Sequence, residues 1–204
     1  LHHLNDSRSQ KVAWLLEELG TPHEIVPHQR HPETMMGPAA LKAVHPIGKA
    51  PALEAEGRVI VESGATIDYI LRRHGNGALM PAQDSPDLLS YLEWSYYAVS
   101  IGTNPIMMKV YVRAFDLHGT PLDAAAQAEF DLVLRYLNAA LADKQWLLGD
   151  LFTAADIQVS FVAELARSFG SLADFPNIVA WLERLHARPA FVRSISKGVS
   201  YRFA

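Results

Sequence analysis

Residues 75–86, GNGALMPAQDSP, mark a change of hydrophobic period, and that change limits the fold more than any other feature of the chain. Before it, short strand-like runs alternate with helical ones; after it, from Asp87 onward, only helical spacing recurs. The segment between is rich in Gly, Pro and small polar residues, the composition of a linker. The expected organisation is a mixed domain over 1–75, a linker over 76–86 and an all-helical domain over 87–204. A chain of 204 residues can form two such domains, each burying a core.

Within the first part, LHHL at 1–4 reads as a strand, and KVAWLLEELG follows with Val12, Leu15, Leu16 and Leu19 at helical spacing and Gly20 as a stop. HEIVPH is a short strand, and PAALKAVHP a short helical or irregular piece ended by Pro46. PALEAEGRVIVES reads as two strands joined at Glu56 and Gly57, after which Ser63 starts a helix carrying Ile67, Ile70 and Leu71 on one face as far as Gly75. The order is βαβ, then ββα. Helical patterns then occupy roughly 87–117, 121–143, 154–168 and 177–187, with short pieces at the C-terminus. Because the chain opens at Leu1 inside a strand, a few residues are expected to precede it.

Composition excludes several classes of function. Half the residues are hydrophobic, a fifth are charged and the net charge is −4, far from the basic footprint of a nucleic-acid binder. The longest uncharged run, Trp94 to Met108, is broken by Ser, Gly, Thr, Asn and Pro and is too short to span a bilayer. With no membrane segment and no signal peptide in view, the default location is the cytoplasm. Zero cysteine removes every mechanism that needs a protein thiol, so any sulfur chemistry uses the substrate's sulfur. The histidines His23, His28 and His31 lie around Pro27 and Pro32 without ligand spacing, and no metal is expected.

Two short segments offer groups for recognition, and each also has a plainer reading, Pro51 as a strand-edge proline and Ser63 as a helix cap beside a solvated Glu62. In IGKAPAL, Pro51 biases Ala50 toward an extended backbone, leaving its N–H and C=O to pair with an extended peptide. In VESGA, Ser63 at a helix start offers a hydroxyl and free N–H groups to an anion, while Glu62 can accept from an ammonium. Elsewhere, Thr153 and Asp156 form a T-x-x-D capping box whose loss costs ~0.5–2 kcal/mol. Trp94, Tyr97, Ile101, Asn104 and Met108 share a face of the helical pattern over 87–117; such a stripe is either core or the wall of an apolar pocket.

This arrangement resembles the cytosolic glutathione transferases over essentially the whole chain. HHLNDSRSQKVAWLLEEL is similar to the first strand and helix of a bacterial or fungal member, HPIGKAPAL to the family's Asn-Pro-x-Gly-Lys-Val-Pro segment, and VESGATIDYIL to its Glu-Ser motif. FTAADIQ is similar to its helix-capping box, and PNIVAWLERLHARPAF to its closing helix. His45 and Ala50 depart from the usual Asn and Val. The resemblance implies a thioredoxin-like βαβ-ββα domain followed by a helical bundle, a cis bond before Pro51, and a homodimer pairing across the region 63–111. It implies reduced glutathione as co-substrate, held by Lys49, Ala50, Pro51, Glu62 and Ser63, with Lys42 a second partner for the glycyl carboxylate. A small electrophile would lie against Tyr97, Ile101, Asn104 and Met108.

Ser7 stands four residues before Lys11, which takes the place of the family's helix-opening arginine, so the resemblance to serine-type members makes Ser7 the donor to the glutathione thiolate. Asn5, Arg8 and Ser9 compete, since the loop can slip by one or two positions. The implied activity is glutathione transfer, with peroxidase activity in addition; the alternative is a non-catalytic binding or regulatory protein of the same fold.

Overall fold

The structure, a computed structural model, describes residues 1–203 and divides into two compact units. One comprises residues 1–79 together with the segment from His186 onward; the other comprises residues 80–185.

The first unit contains β1 (His2–Leu4), α1 (Ser9–Glu18), β2 (Val26–His28), α2 (Ala40–Val44), β3 (Ala52–Ala55), β4 (Arg58–Val61) and α3 (Ser63–His74), the βαβ–ββα order expected. The sheet order is β2-β1-β3-β4, with β2 parallel to β1 and β3 antiparallel to both of its neighbours. A two-residue turn joins β3 to β4: Glu56 and Gly57 have φ of 51° and 74°, the left-handed values that match the twist of a hairpin.

The sheet's register determines what meets at its end. His28 is level with Leu4, and His2 pairs with Ala52, which pairs in turn with Val61. One residue further, Glu62 falls opposite Pro51. The ends of β1, β2 and β4 and the start of β3 therefore lie at one edge of the sheet.

Helix α1 is buried almost along its whole length, from Ser9 to Glu17, because α9 (Pro189–Lys197) covers it. Phe191 meets Trp14 edge-on with ring centroids 5.0 Å apart. Arg188 holds Glu18 through two bonds of 2.6 and 2.9 Å, and Glu17 takes Arg193 at 3.0 Å and Lys197 at 2.7 Å. The expected helical domain over 87–204 differs at its end: the segment from His186 lies in the first unit, where α9 packs on α1 and these ion pairs join the two helices. The division after Leu79 falls inside the expected linker.

The second unit contains α4 (Leu88–Tyr97), α5 (Asn104–Ala114), α6 (Pro121–Ala140), α7 (Ala154–Arg167) and α8, which runs from Pro176 to His186. The expected helix over 87–117 is two helices. After Tyr97, Thr103 Oγ1 donates to the Ala98 carbonyl at 2.6 Å, and Gly102 packs so closely that a Cβ there would lie 2.6 Å from the Tyr97 ring. Pro105 then sits in the first turn of α5, where a missing N–H costs nothing. Helix α7 is central, buried from Ala154 to Ala166. Its capping box forms as expected: Thr153 Oγ1 accepts from Ala155 N–H at 3.3 Å and Asp156 accepts from Thr153 N–H at 3.0 Å. The other Asp156 oxygen accepts from Leu147 N–H at 2.9 Å and from the indole of Trp181 on α8 at 3.0 Å. Among the described residues no helix is long and apolar enough to cross a membrane.

Candidate active site

The edge of the sheet gathers three segments that the sequence singled out. The loop after β1 carries Ser7, the turn before β3 carries Ala50 and Pro51, and the junction of β4 with α3 carries Glu62 and Ser63.

The Ala50–Pro51 bond is cis, as the resemblance implies. Pro51 is buried and Ala50 half-buried, and among the described residues no turn or loop hydrogen bond uses the Ala50 N–H or C=O. Lys49 is exposed at this edge. Lys42 lies along the same turn, its Cγ so near Gly48, at φ +61°, that a Cβ there would come within 2.7 Å.

Ser63 opens α3 and is only 2% exposed, yet its Oγ has no hydrogen-bond partner. A buried hydroxyl left unpaired is uncommon and costs free energy unless something completes it. The N–H groups of the first turn beside it are also open, since the intrahelical ladder begins only with Thr66 N–H donating to Glu62 O at 2.9 Å. Glu62 holds a strained backbone at φ 69° and ψ 117°, with its side chain exposed. Strain of this kind costs about 1–3 kcal/mol and collects where a side chain must be aimed. Together, an open helix N-terminus, an unpaired hydroxyl and an adjacent carboxylate suit a ligand that carries an anion and a cation close together.

Ser7 is placed differently from a simple exposed cap. It precedes α1 by two residues and is 5% exposed; its hydroxyl donates to the Leu4 carbonyl at 2.8 Å and lies 2.7 Å from Ser9 Oγ. Of its competitors, Ser9 is fully buried, and Asn5 Oδ1 accepts from Arg30 N–H at 2.7 Å. Arg8 is half-buried.

Sequence reasoning missed the residues that hold this loop. Arg30 donates to the carbonyls of Asn5 at 3.1 Å, Asp6 at 3.2 Å and Met35 at 2.8 Å. Arg202 binds the Asp6 carboxylate at 3.2 Å, and its N–H reaches the same group at 2.9 Å. Both contacts are long in sequence, and no local pattern announces either. His3 was read only as a strand residue, but its Nδ1 lies 2.6 Å from Ser9 Oγ.

The aromatic stripe does not survive as one helix face, which corrects the expectation for Tyr97. Tyr97 ends α4, Ile101 lies in the turn that follows, and Asn104 and Met108 belong to α5. Tyr97 is core: its hydroxyl donates to Val133 O at 3.0 Å, its ring packs edge-on to Trp94, and burial pushes its pKa well above the ordinary phenol value. Ile101 and Asn104 are exposed and Met108 half-buried. Among the described residues no three His, Asp or Glu side chains gather to hold a metal. His28 pairs instead with His2 at 3.0 Å, and His23 lies 3.6 Å from Glu17.

Comparison with known proteins covers the same ground. The family described as "Glutathione S-transferase, N-terminal domain" matches residues 1–78, and that described as "Glutathione S-transferase, C-terminal domain" matches residues 103–189. Glutathione S-transferase 3 of Schizosaccharomyces pombe is 30% identical, across 93% of this chain and 84% of that protein. Glutathione S-transferase 3 of Zea mays is 31% identical, across 91% and 87%. A crystal structure of a glutathione S-transferase from Actinobacillus pleuropneumoniae superposes with a TM-score of 0.89 at 28% identity, covering 100% of this chain and 95% of that one.

Proposed function

We propose, from the premise that the chain belongs to the glutathione S-transferase family, that it binds reduced glutathione and presents the sulfur as a thiolate to a small electrophile. The observation that carries the reading is the unpaired, buried Ser63 hydroxyl at the open N-terminus of α3. The γ-glutamyl carboxylate completes Ser63 and the first-turn N–H groups, and Glu62 takes the α-ammonium. The cysteinyl unit pairs with the backbone of Ala50 beside Pro51. Lys49 or Lys42 meets the glycyl carboxylate.

Ser7 is the proposed donor to the thiolate and forms no covalent bond. A free thiol titrates near ~8.5, so thiolate at neutral pH requires a drop of about two units, roughly 2.7 kcal/mol. One hydrogen bond to a charged group supplies ~1.5–3 kcal/mol, enough for the task. To give it, Ser7 turns its hydrogen from the Leu4 carbonyl toward the sulfur. Conjugation is the reaction proposed first and peroxide reduction second, both using the same thiolate. Ile101, Asn104 and Met108 are the candidates for holding the electrophile. A homodimer in the cytoplasm is proposed, and Leu89 and Tyr96, 67% and 68% exposed on α4, are apolar surface that a partner copy would cover.

The second reading, a non-catalytic binding or regulatory protein, draws on one observation, the inward hydrogen bond of Ser7. Ultraviolet absorbance of bound glutathione against pH separates the two. Catalysis predicts a thiol pKa about two units below ~8.5 that Ser7→Ala raises at least tenfold in proton affinity. A bound thiol titrating at its free value in both proteins supports the regulatory reading.

A further inference from the structure

His3 is 1% exposed and stands on β1, behind the loop that carries Ser7. Its Nδ1 lies 2.6 Å from Ser9 Oγ, and Ser9 Oγ lies 2.7 Å from Ser7 Oγ. The imidazole is packed in place: a Cβ on Gly198 would come within 2.9 Å of Nε2. Three groups, each with one proton to place, thus form a line that ends at the proposed thiolate donor. We propose that His3 is a positioning residue for thiol activation, its proton on Nδ1 setting Ser9 and, through Ser9, turning the Ser7 hydrogen out toward the sulfur. This rests on the reading of Ser7 given above.

Ser9 Oγ already accepts from Leu4 N–H at 3.1 Å, and Ser7 Oγ from Ser9 N–H at 3.2 Å. If His3 carries its proton on Nε2, Nδ1 accepts the Ser9 proton and Ser9 Oγ can only accept from Ser7, whose hydrogen stays inward on Ser9 or on the Leu4 carbonyl. If the proton is on Nδ1, His3 donates to Ser9, and Ser9 donates to Ser7 or to the Leu4 carbonyl 3.2 Å away; in either case Ser9 no longer holds the Ser7 hydrogen, which is free for an outside acceptor. No group changes charge between the two arrangements. Donor chains aligned in this way strengthen one another in a low-dielectric interior.

Burial, with the amino terminus adding to it and Gln10 partly opposing, lowers the His3 pKa to about 4, so the ring is neutral and one proton serves two nitrogens. Both arrangements are open to it. Oε1 of Gln10 stands beside the ring, with neither it nor Nε2 in a well-formed hydrogen bond, while the Gln10 amide N–H donates to Ser194 Oγ at 2.8 Å; turning the amide over offers Nε2 an N–H and leaves the ring proton to Nδ1. The free protein, with Ser7 donating to Leu4 O, is the resting arrangement; a thiolate selects the other by its differential interaction.

The test compares wild type, Ser7→Ala, His3→Leu and His3→Asn, with thiolate absorbance of bound glutathione followed against pH and S-methylglutathione binding measured by calorimetry. His3→Leu is expected to bind S-methylglutathione as wild type does while holding roughly two- to fivefold less thiolate near neutral pH, the loss of cooperative strengthening in the chain. His3→Asn restores an N–H near the place of Nδ1 and is expected to recover the wild-type titration. If Ser7→Ala raises the thiol pKa and His3→Leu does not, the inference is overturned and the Ser7 reading stands. If neither variant moves it, the Ser7 reading falls and takes the inference with it. Should His3→Leu fail to fold, ring-nitrogen NMR of the wild type decides: glutathione must bring the His3 proton to Nδ1, and a proton that stays on Nε2 overturns the proposal.

Discussion

Asp156 is fully buried and spends both carboxylate oxygens on three N–H donors, those of Thr153, Leu147 and Trp181. A helix cap alone is worth ~0.5–2 kcal/mol. Truncation here also strands an amide and an indole N–H in the interior, at ~1–3 kcal/mol each. Asp156→Ala is therefore expected to cost about 3–5 kcal/mol in equilibrium denaturation, above the range for a cap. Thr153 and Asp156 were legible as a box because the spacing is local. Leu147 and Trp181 were not, since nothing in a sequence says which distant donors converge on one carboxylate. The same limit hid His3 behind Ser9, whereas Glu62 and Ser63 stood out because their meaning lies in two adjacent residues at a helix start.

At the level of elements, the closing helix α9 is tied to α1 by charge as well as by packing. Burial alone would raise the Glu17 carboxyl, but hydrogen bonds from Lys197 and Arg193 outweigh it and hold the group below its ordinary value. A folded pKa below the unfolded one gives stability that is present above the unfolded carboxyl value and lost as pH falls through the folded value. Glu17→Gln is expected to remove ~1–3 kcal/mol at neutral pH and to flatten the acid limb of the stability profile, measured by unfolding at several pH values. An acid limb as steep as wild type's would show that the cluster does not couple α9 to folding. Periodicity exposed most elements because each carries its own pattern: the run from Val12 to Leu19, the hairpin about Gly57, the helix after Ser63. It failed between 98 and 103, where helical spacing continues while Gly102, pressed on the Tyr97 ring, and Pro105 break the backbone. It also could not tell that α9 turns back to the first unit, because three cations find Glu17 and Glu18 only in space.

The sheet's register brings Ala50, Pro51, Glu62 and the loop bearing Ser7 to one edge, and α3 begins there with its N–H groups open. Binding is assigned to that edge and activation to Ser7. The most direct measurement is calorimetric titration of reduced glutathione into wild type and Ser63→Ala, with the thermal unfolding of each protein recorded in the absence of ligand. Because the Ser63 hydroxyl has no partner in the free protein, its removal should leave the unfolding midpoint unmoved or slightly raised. Affinity should fall about tenfold to a hundredfold, the loss of one hydrogen bond to a charged group. Equal affinity in the two proteins, or no binding by wild type at millimolar glutathione, would contradict the account.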